Sequence, residues 1–203
     1  WIWVLDPLDG TKDFIQGTGN YAMHLALNHN QKPFMGVVLI PEKNELWISN
    51  GEKVWCESKD GTPKKFKMSS KKEFSEMTIV TSKNHHNPNL ESLISKMDFK
   101  NIIKMGSIGC KIASILRGES DIYISFSLPF KSCPKDWDFA APEAILKAAG
   151  GAITNLLNED LIYNKKNYEQ GGIIIASNNK KTHKRKCIQL QEIIKKFDLF
   201  PLN

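Results

Sequence analysis

With 203 residues, 41% hydrophobic and 25% charged, the chain has the make-up of one globular domain or two closely packed halves. No apolar run is long enough for a membrane-spanning helix, and the opening residues lack the pattern of a secretory leader. The net charge of +6 is compatible with an anionic ligand; Cys56, Cys110, Cys133 and Cys187 show neither C-x-x-C spacing nor nearby paired histidines, which predicts free thiols in a reducing cytoplasm.

In chain order, Trp1–Leu5 is apolar and β-prone and is expected to be a buried strand. It should stop at Asp6, because Pro7 offers no N–H to a ladder. Asp6 and Asp9 then share one tight turn, Gly10 follows, and Thr11 is the expected N-cap of a short helix over Lys12, Asp13 and Phe14. Tyr21–Asn28 alternates as a half-buried strand does, which makes His24 a sheet residue and His29 a turn residue. Turns at Asn28–Gln31, Pro41–Asn44 and Asn50-Gly51 divide Phe34–Ile40, Glu45–Ser49 and Val54–Cys56 into an antiparallel meander.

A charged connection, Lys64–Glu76, leads to a different rhythm. Strands are expected at Met77–Thr81, Ile102–Met105, Ile122–Phe126, Ala152–Thr154 and Ile173–Ala176, and helices at Asn89–Met97, Ile108–Leu116, from Asp138 and from Thr182. Pro142 falls in the first turns of the Asp138 helix, and Gly150-Gly151 ends it. Lys180–Lys186 forms a basic run on the last helix, read either as an anion-attracting patch or as a solvated face opposite Ile188, Leu190, Ile193 and Ile194. Residues 1–70 thus form a turn plus meander and residues 71–203 an α/β half, together one unit.

Two carboxylates on one turn repel, and each raises the other's pKa unless a cation lies between them. A hard divalent ion such as Mg²⁺ takes oxygen ligands and is often shared between carboxylates and a phosphate. Strand, Asp6, Asp9, Gly10-Thr11 and helix therefore describe a metal-plus-phosphate corner; the same residues also suit an ordinary Asp-Pro, Asp-Gly turn. Asp138 likewise reads either as a helix N-cap or as a further ligand.

Together, the D-P-L-D-G-T segment at Asp6–Thr11 and the W-D-x-A-A segment at Trp137–Ala141 resemble the inositol monophosphatase superfamily. The likeness covers nearly the whole chain and is nearest to the 3'(2'),5'-bisphosphate nucleotidase branch of CysQ type. It implies a layered α/β fold of α-β-α-β-α order with the first helical layer missing, since the family carries an upstream helical segment with further acidic ligands, including a Glu. A chain that opens directly on a strand reads as lacking that part.

The resemblance also implies a site. Asp6, the carbonyl of Leu8, Asp9 and Asp138 would hold two or three Mg²⁺ ions, with inhibition by Li⁺. Asp6, Asp9 and Thr11 would be catalytic, Thr11 orienting the attacking water. Gly10, Thr11, Ser107, Gly109 and His85 would contact substrate. Met105–Lys111 resembles the S-I-G-S-S-L-K segment of the nucleotidases, with Cys110 at a Ser position and Lys111 out of the expected register; Ser82–His85 resembles S-R-S-H, although His85 also reads as a surface-loop residue; Arg117 is open between pocket and helix end. Ala148 occupies the place of a Glu, in an E-A-G-G ending, assigned to inositol hydroxyls.

The implied reaction is hydrolysis of the 3'-phosphate of adenosine 3',5'-bisphosphate, a by-product of sulfate assimilation. The alternatives are an inositol monophosphatase or a fructose-1,6-bisphosphatase-type sugar phosphatase. A non-catalytic nucleic-acid-binding module is a third reading, but no aromatic-interleaved basic strand or nucleic-acid motif accompanies it. Partners are therefore a small phosphorylated nucleotide or sugar, with no nucleic acid and no membrane span; the sequence sets no oligomeric state.

Overall fold

The computed structural model describes residues 1–84, 87–128 and 133–200. Six strands, β1 (Ile2–Asp9), β2 (Ala22–His29), β3 (Lys32–Ile40), β4 (Glu45–Ser49), β5 (Val54–Glu57) and β6 (Pro63–Lys64), form an antiparallel sheet in that spatial order. Its tight β2–β3 turn places Asn30 and Gln31 at φ 48° and 62°, the left-handed pair that a two-residue hairpin needs. The period-two pattern of β2 points Ala22, His24, Ala26 and Asn28 inward.

β1 departs from expectation twice. It runs through Pro7 to Asp9, with a register irregularity between Asp6 and Asp9. Proline is tolerated there because β1 is an edge strand, whose outer side needs no ladder donor. Nor is the opening of the chain buried: Trp1, Trp3 and Leu5 are 68%, 65% and 54% exposed, and only Val4 points into the core. The short strand β6 was hidden inside what the sequence reads as a connection.

The second sheet has the order β10-β11-β9-β7-β8, with β7 (Thr78–Ser82), β8 (Asn101–Met105), β9 (Ile122–Ser127), β10 (Ala152–Asn155) and β11 (Gly172–Ser177). β7 runs parallel to β8 and β9, and the remaining pairs are antiparallel. Helices α3 (Ile108–Leu116) and α4 (Asp136–Ala148) fill the space between the two sheets. One continuous core joins Val38 and Trp47 of the first sheet, Ile112, Phe139 and Ile145 of the helices, and Tyr123 and Ile174 of the second sheet. Helices α2 (Pro88–Ser95) and α5 (Lys180–Phe197) pack on the far side, around Leu93, Ile124, Ile175 and Leu190. The layers therefore run sheet, helices, sheet, helices, and among the described residues no helix or strand covers the outer face of the first sheet. Among the described residues no helix is long and apolar enough to cross a membrane.

On α5 the burial corrects the reading of the basic run. Lys186 is fully buried and donates to Asn178 Oδ1 at 2.9 Å, whereas Ile188 is 44% exposed. The helix turns His183, Lys186, Cys187, Leu190 and Ile194 inward, so the buried stripe begins at His183, within the basic run itself and ahead of the first apolar residues. All four cysteines are free and buried.

Candidate metal centre and pocket

The β1–α1 corner is built by Gly10. Its φ of 84° is left-handed, and a Cβ there would lie 2.8 Å from the Asn20 carbonyl oxygen, so both conformation and space select glycine. Gly10, not Thr11, is the N-cap of α1 (Thr11–Ile15), and it makes no side-chain cap. Thr11 is the first helical residue and its hydroxyl donates back to the Leu8 carbonyl at 3.1 Å. The Leu8 amide in turn donates to Asp6 Oδ1 at 3.0 Å. The corner is thus closed on itself, with Asp6 and Asp9 on the same side.

Asp138 arrives from α4. It is the third residue of that helix and not its N-cap, which is Lys135; its carboxylate accepts the Lys135 amide at 2.5 Å. The helix starts earlier than expected because Asp136 is also helical, its carboxylate bound by the Asn164 amide and the Gln170 side chain. Asp6, Asp9 and Asp138 each place a carboxylate oxygen within 4.8 Å of the others. Burial, and the charges of Asp9 and Asp6, push the Asp138 carboxyl up to about 7; Asp6 is raised by burial and by Asp9. A cation set between these carboxylates would relieve the repulsion that raises Asp138 and Asp6, and the donor set, oxygen alone, suits Mg²⁺.

Asp9 is fixed from its other side. Its Oδ2 accepts Ser107 Oγ at 2.6 Å and the amides of Ile108 and Gly109 at 2.6 and 3.3 Å, at the start of α3. Those donors saturate Oδ2 and leave Oδ1 for a cation. Ser107 and Gly109, expected at the substrate, direct these polar groups at Asp9.

A cavity of about 570 Å³ opens beside this cluster. Asp9, Gly10, Thr11 and Asp138 line one side; Ser82, Asn84, Lys111 and Ser125 line the other, at the ends of β7 and β9 and on α3. Lys111, out of register with the resembling segment, is nevertheless in the wall: its ammonium donates to the Gly106 carbonyl and to Ser82 Oγ at 3.2 Å, and burial lowers its pKa. Asp13, which the sequence gives no role, is 1% exposed and accepts Thr18 Oγ1 and Asn84 Nδ2, both at 2.6 Å. Its place within the same D-P-L-D-G-T-K-D turn was the available signal.

Arg117 is clear of the pocket lining. It pairs with Glu45 Oε2 at 2.7 Å and Glu119 Oε1 at 2.8 Å, and so ties the end of α3 to β4. Ala148 ends α4, ten residues beyond Asp138, which is about 15 Å along a helix. It does not line the pocket, so the substrate argument drawn from it falls. His85 lies outside the described residues.

A family model described as the inositol monophosphatase family matches residues 1–195. The chain belongs to that family. Among curated members, CysQ 3'(2'),5'-bisphosphate nucleotidase of Buchnera aphidicola is 32% identical over 161 residues, covering 79% of this chain and 57% of that one. The mouse 3'(2'),5'-bisphosphate nucleotidase 1 is 30% identical over 185 residues, 88% and 58% of the two chains. The chain therefore spans less than two thirds of the length of these family members. Among solved structures, CysQ from Bacteroides thetaiotaomicron is similar at 27% identity and a TM-score of 0.73, over 88% of this chain and 70% of that one. An inositol monophosphate-bound SaIMPase-II shares the fold at 23% identity and a TM-score of 0.76, over 97% and 71%.

Proposed function

We propose that this chain carries the metal-binding core of a Mg²⁺-dependent phosphomonoesterase that removes the 3'-phosphate of adenosine 3',5'-bisphosphate. The observation that carries the reading is the convergence of Asp6 and Asp9 with Asp138, which lies 129 positions beyond Asp9 in the chain, at the side of a cavity of about 570 Å³. The similarity to named bisphosphate nucleotidases favours the nucleotide substrate.

In this reading Asp6, Asp9 and Asp138 hold the ions, with the Leu8 carbonyl as a further oxygen. Bound Mg²⁺ supplies neutralisation of phosphoryl charge and a more acidic water. Asp9 enters with Oδ2 already saturated, so only Oδ1 can turn to the ion. The Thr11 hydroxyl has its proton committed to Leu8, so toward a water it acts as acceptor and orients that water's hydrogen. The Gly10 and Thr11 backbone sits beside Asp9 in the cavity wall, where it would meet phosphate oxygens. Lys111, Ser82, Asn84 and Ser125 line the cavity across from this group, on the side left for the nucleoside part.

Phosphate release from adenosine 3',5'-bisphosphate, inositol 1-phosphate and fructose 1,6-bisphosphate, each with Mg²⁺ and with EDTA, tests this in the full-length protein. Mg²⁺-dependent release with the nucleotide well ahead is expected. Comparable kcat/KM for a sugar or inositol phosphate would overturn the nucleotide assignment, and release insensitive to EDTA would overturn the metal.

A further inference from the structure

His24 is 1% exposed and sits opposite Asp6 in the β1–β2 register. Its ring points inward to where the two acid-bearing segments meet. Nδ1 lies 3.2 Å from the carbonyl oxygen of Trp137, the residue before Asp138. A carbonyl can only accept, so Nδ1 donates. Nε2 lies 3.4 Å from Asp9 Oδ2 and, among the described residues, has no hydrogen-bond partner. The ring also fills the space that a Cβ at Gly109 would need. One imidazole thus touches the segment carrying Asp9 and the segment carrying Asp138.

The first turn of α4 needs such a hold. Pro142 is the seventh residue of the helix, inside it and not in its first turn. It has no N–H, so the Asp138 carbonyl lacks its usual partner four residues on. The turn that carries the ligand is therefore secured less by its own helix than by what it packs against.

We propose that His24 is a positioning residue for the metal centre: it clamps the first turn of α4 to β2 through the Trp137 carbonyl and so fixes Asp138 relative to Asp9. The role rests on the metal reading given above. Groups that orient metal ligands without touching the ion typically change affinity ten- to a hundredfold when lost.

The test compares His24→Asn, whose amide nitrogen falls near the Nδ1 position, with His24→Leu, which fills similar space without a donor. Mg²⁺ binding to the full-length protein is measured by titration calorimetry without substrate. His24→Leu is expected to weaken Mg²⁺ binding about tenfold or more, and His24→Asn to stay within about threefold of the parent. Should His24→Leu fail to fold, His24→Gln replaces it: its amide reaches the Nε2 position and leaves the Trp137 carbonyl without the donor from β2, and the same loss is expected. Equal affinities for the donor-retaining variant and the variant lacking it overturn the role, whatever their melting temperatures. Absence of Mg²⁺ binding by the parent protein would instead defeat the metal reading itself.

Discussion

Asp9 Oδ2 lies 2.6 Å from Ser107 Oγ, across 98 residues of chain, and the same oxygen takes two backbone amides of α3. One carboxylate therefore joins the first strand to the helix layer while offering its other oxygen to the cavity. Removing it should damage two things at once. Asp9→Ala leaves the Ser107 hydroxyl and the Ile108 and Gly109 amides without their acceptor, at a cost of roughly 1–3 kcal/mol. Asp6→Asn breaks no comparable set, since among the described residues Asp6 accepts a single amide, that of Leu8, which the Asn carbonyl can still take. Both variants should lose Mg²⁺-dependent turnover by about a hundredfold or more, but only Asp9→Ala should unfold at clearly lower urea in the absence of metal. Equal unfolding midpoints would show that the α3 contacts do not hold the fold.

The Asp138 carboxyl, pushed up to about 7, gives a pH prediction of definite sign. In the metal-free protein the folded state keeps this proton to a higher pH than the unfolded chain, whose aspartates titrate near 3.8. Stability is then lost as pH rises from about 4 through about 7, and Asp138→Asn, which stays neutral and can still accept the Lys135 amide, escapes the loss. At pH 8 without Mg²⁺ the Asn variant should be more stable than the parent by roughly 2–4 kcal/mol, although it turns over substrate poorly. His183 acts in the opposite sense, because burial holds it at about 4 and its neutral form is favoured in the fold; comparing variant with parent cancels that contribution. A parent that is no less stable than Asp138→Asn at pH 8 without metal would contradict the burial argument.

Much of this was legible beforehand for physical reasons. Glu45–Ser49 and Ile108–Leu116 coincide with β4 and α3, because clean alternation and a full apolar helix face leave little choice of boundary. The acids of the centre could be picked out by their turn and helix context, yet the meeting of Asp138 with Asp6 and Asp9 depends on α4 lying between the two sheets, a long-range fact. Alternation makes His24 a sheet residue, which it is; that it sits opposite Asp6 and beside the Trp137 carbonyl depends on strand register and tertiary packing. Local rules misjudged Pro7, because they treat every strand as interior and β1 is an edge. They misjudged Ala148 because a motif carries no distances, and a helix sets that residue far from the cavity.

Asn84 links the loop after β7 to Asp13 on α1 across the cavity, a hydrogen bond from an amide to a buried carboxylate. Such a bond contributes about 1.5–3 kcal/mol. Asn84→Ala should lower stability by that order and raise KM for the nucleotide more than it lowers kcat, since Asn84 lines the cavity but lies outside the Asp6, Asp9 and Asp138 cluster. Asn84→Asp should be worse, because it sets a second carboxylate against Asp13. Urea unfolding and steady-state kinetics on the three proteins check this; a kcat that falls while KM stays constant would place Asn84 with the chemistry instead.

The last prediction concerns the outer face of the first sheet. Trp3 pairs with Leu27, Leu5 with Leu25, Leu25 with Val37 and Val37 with Ile48, so apolar side chains run in cross-strand rows over four strands. None of them is fully buried, and Trp1, Trp3 and Leu5 are more than half exposed. An apolar patch of this extent is unusual on a monomeric protein and marks a contact surface or an aggregation site. Among the described residues no strand pairs with the outer side of β1, which adds free ladder groups beside the patch. The 203-residue chain expressed alone should therefore bind the dye ANS in its folded state and self-associate at micromolar concentration. Trp3→Lys with Leu5→Lys should suppress both effects while leaving the melting temperature within a few degrees, because both side chains are more than half exposed. A parent chain that stays monomeric in sedimentation and dark with ANS would show that this face is shielded in solution.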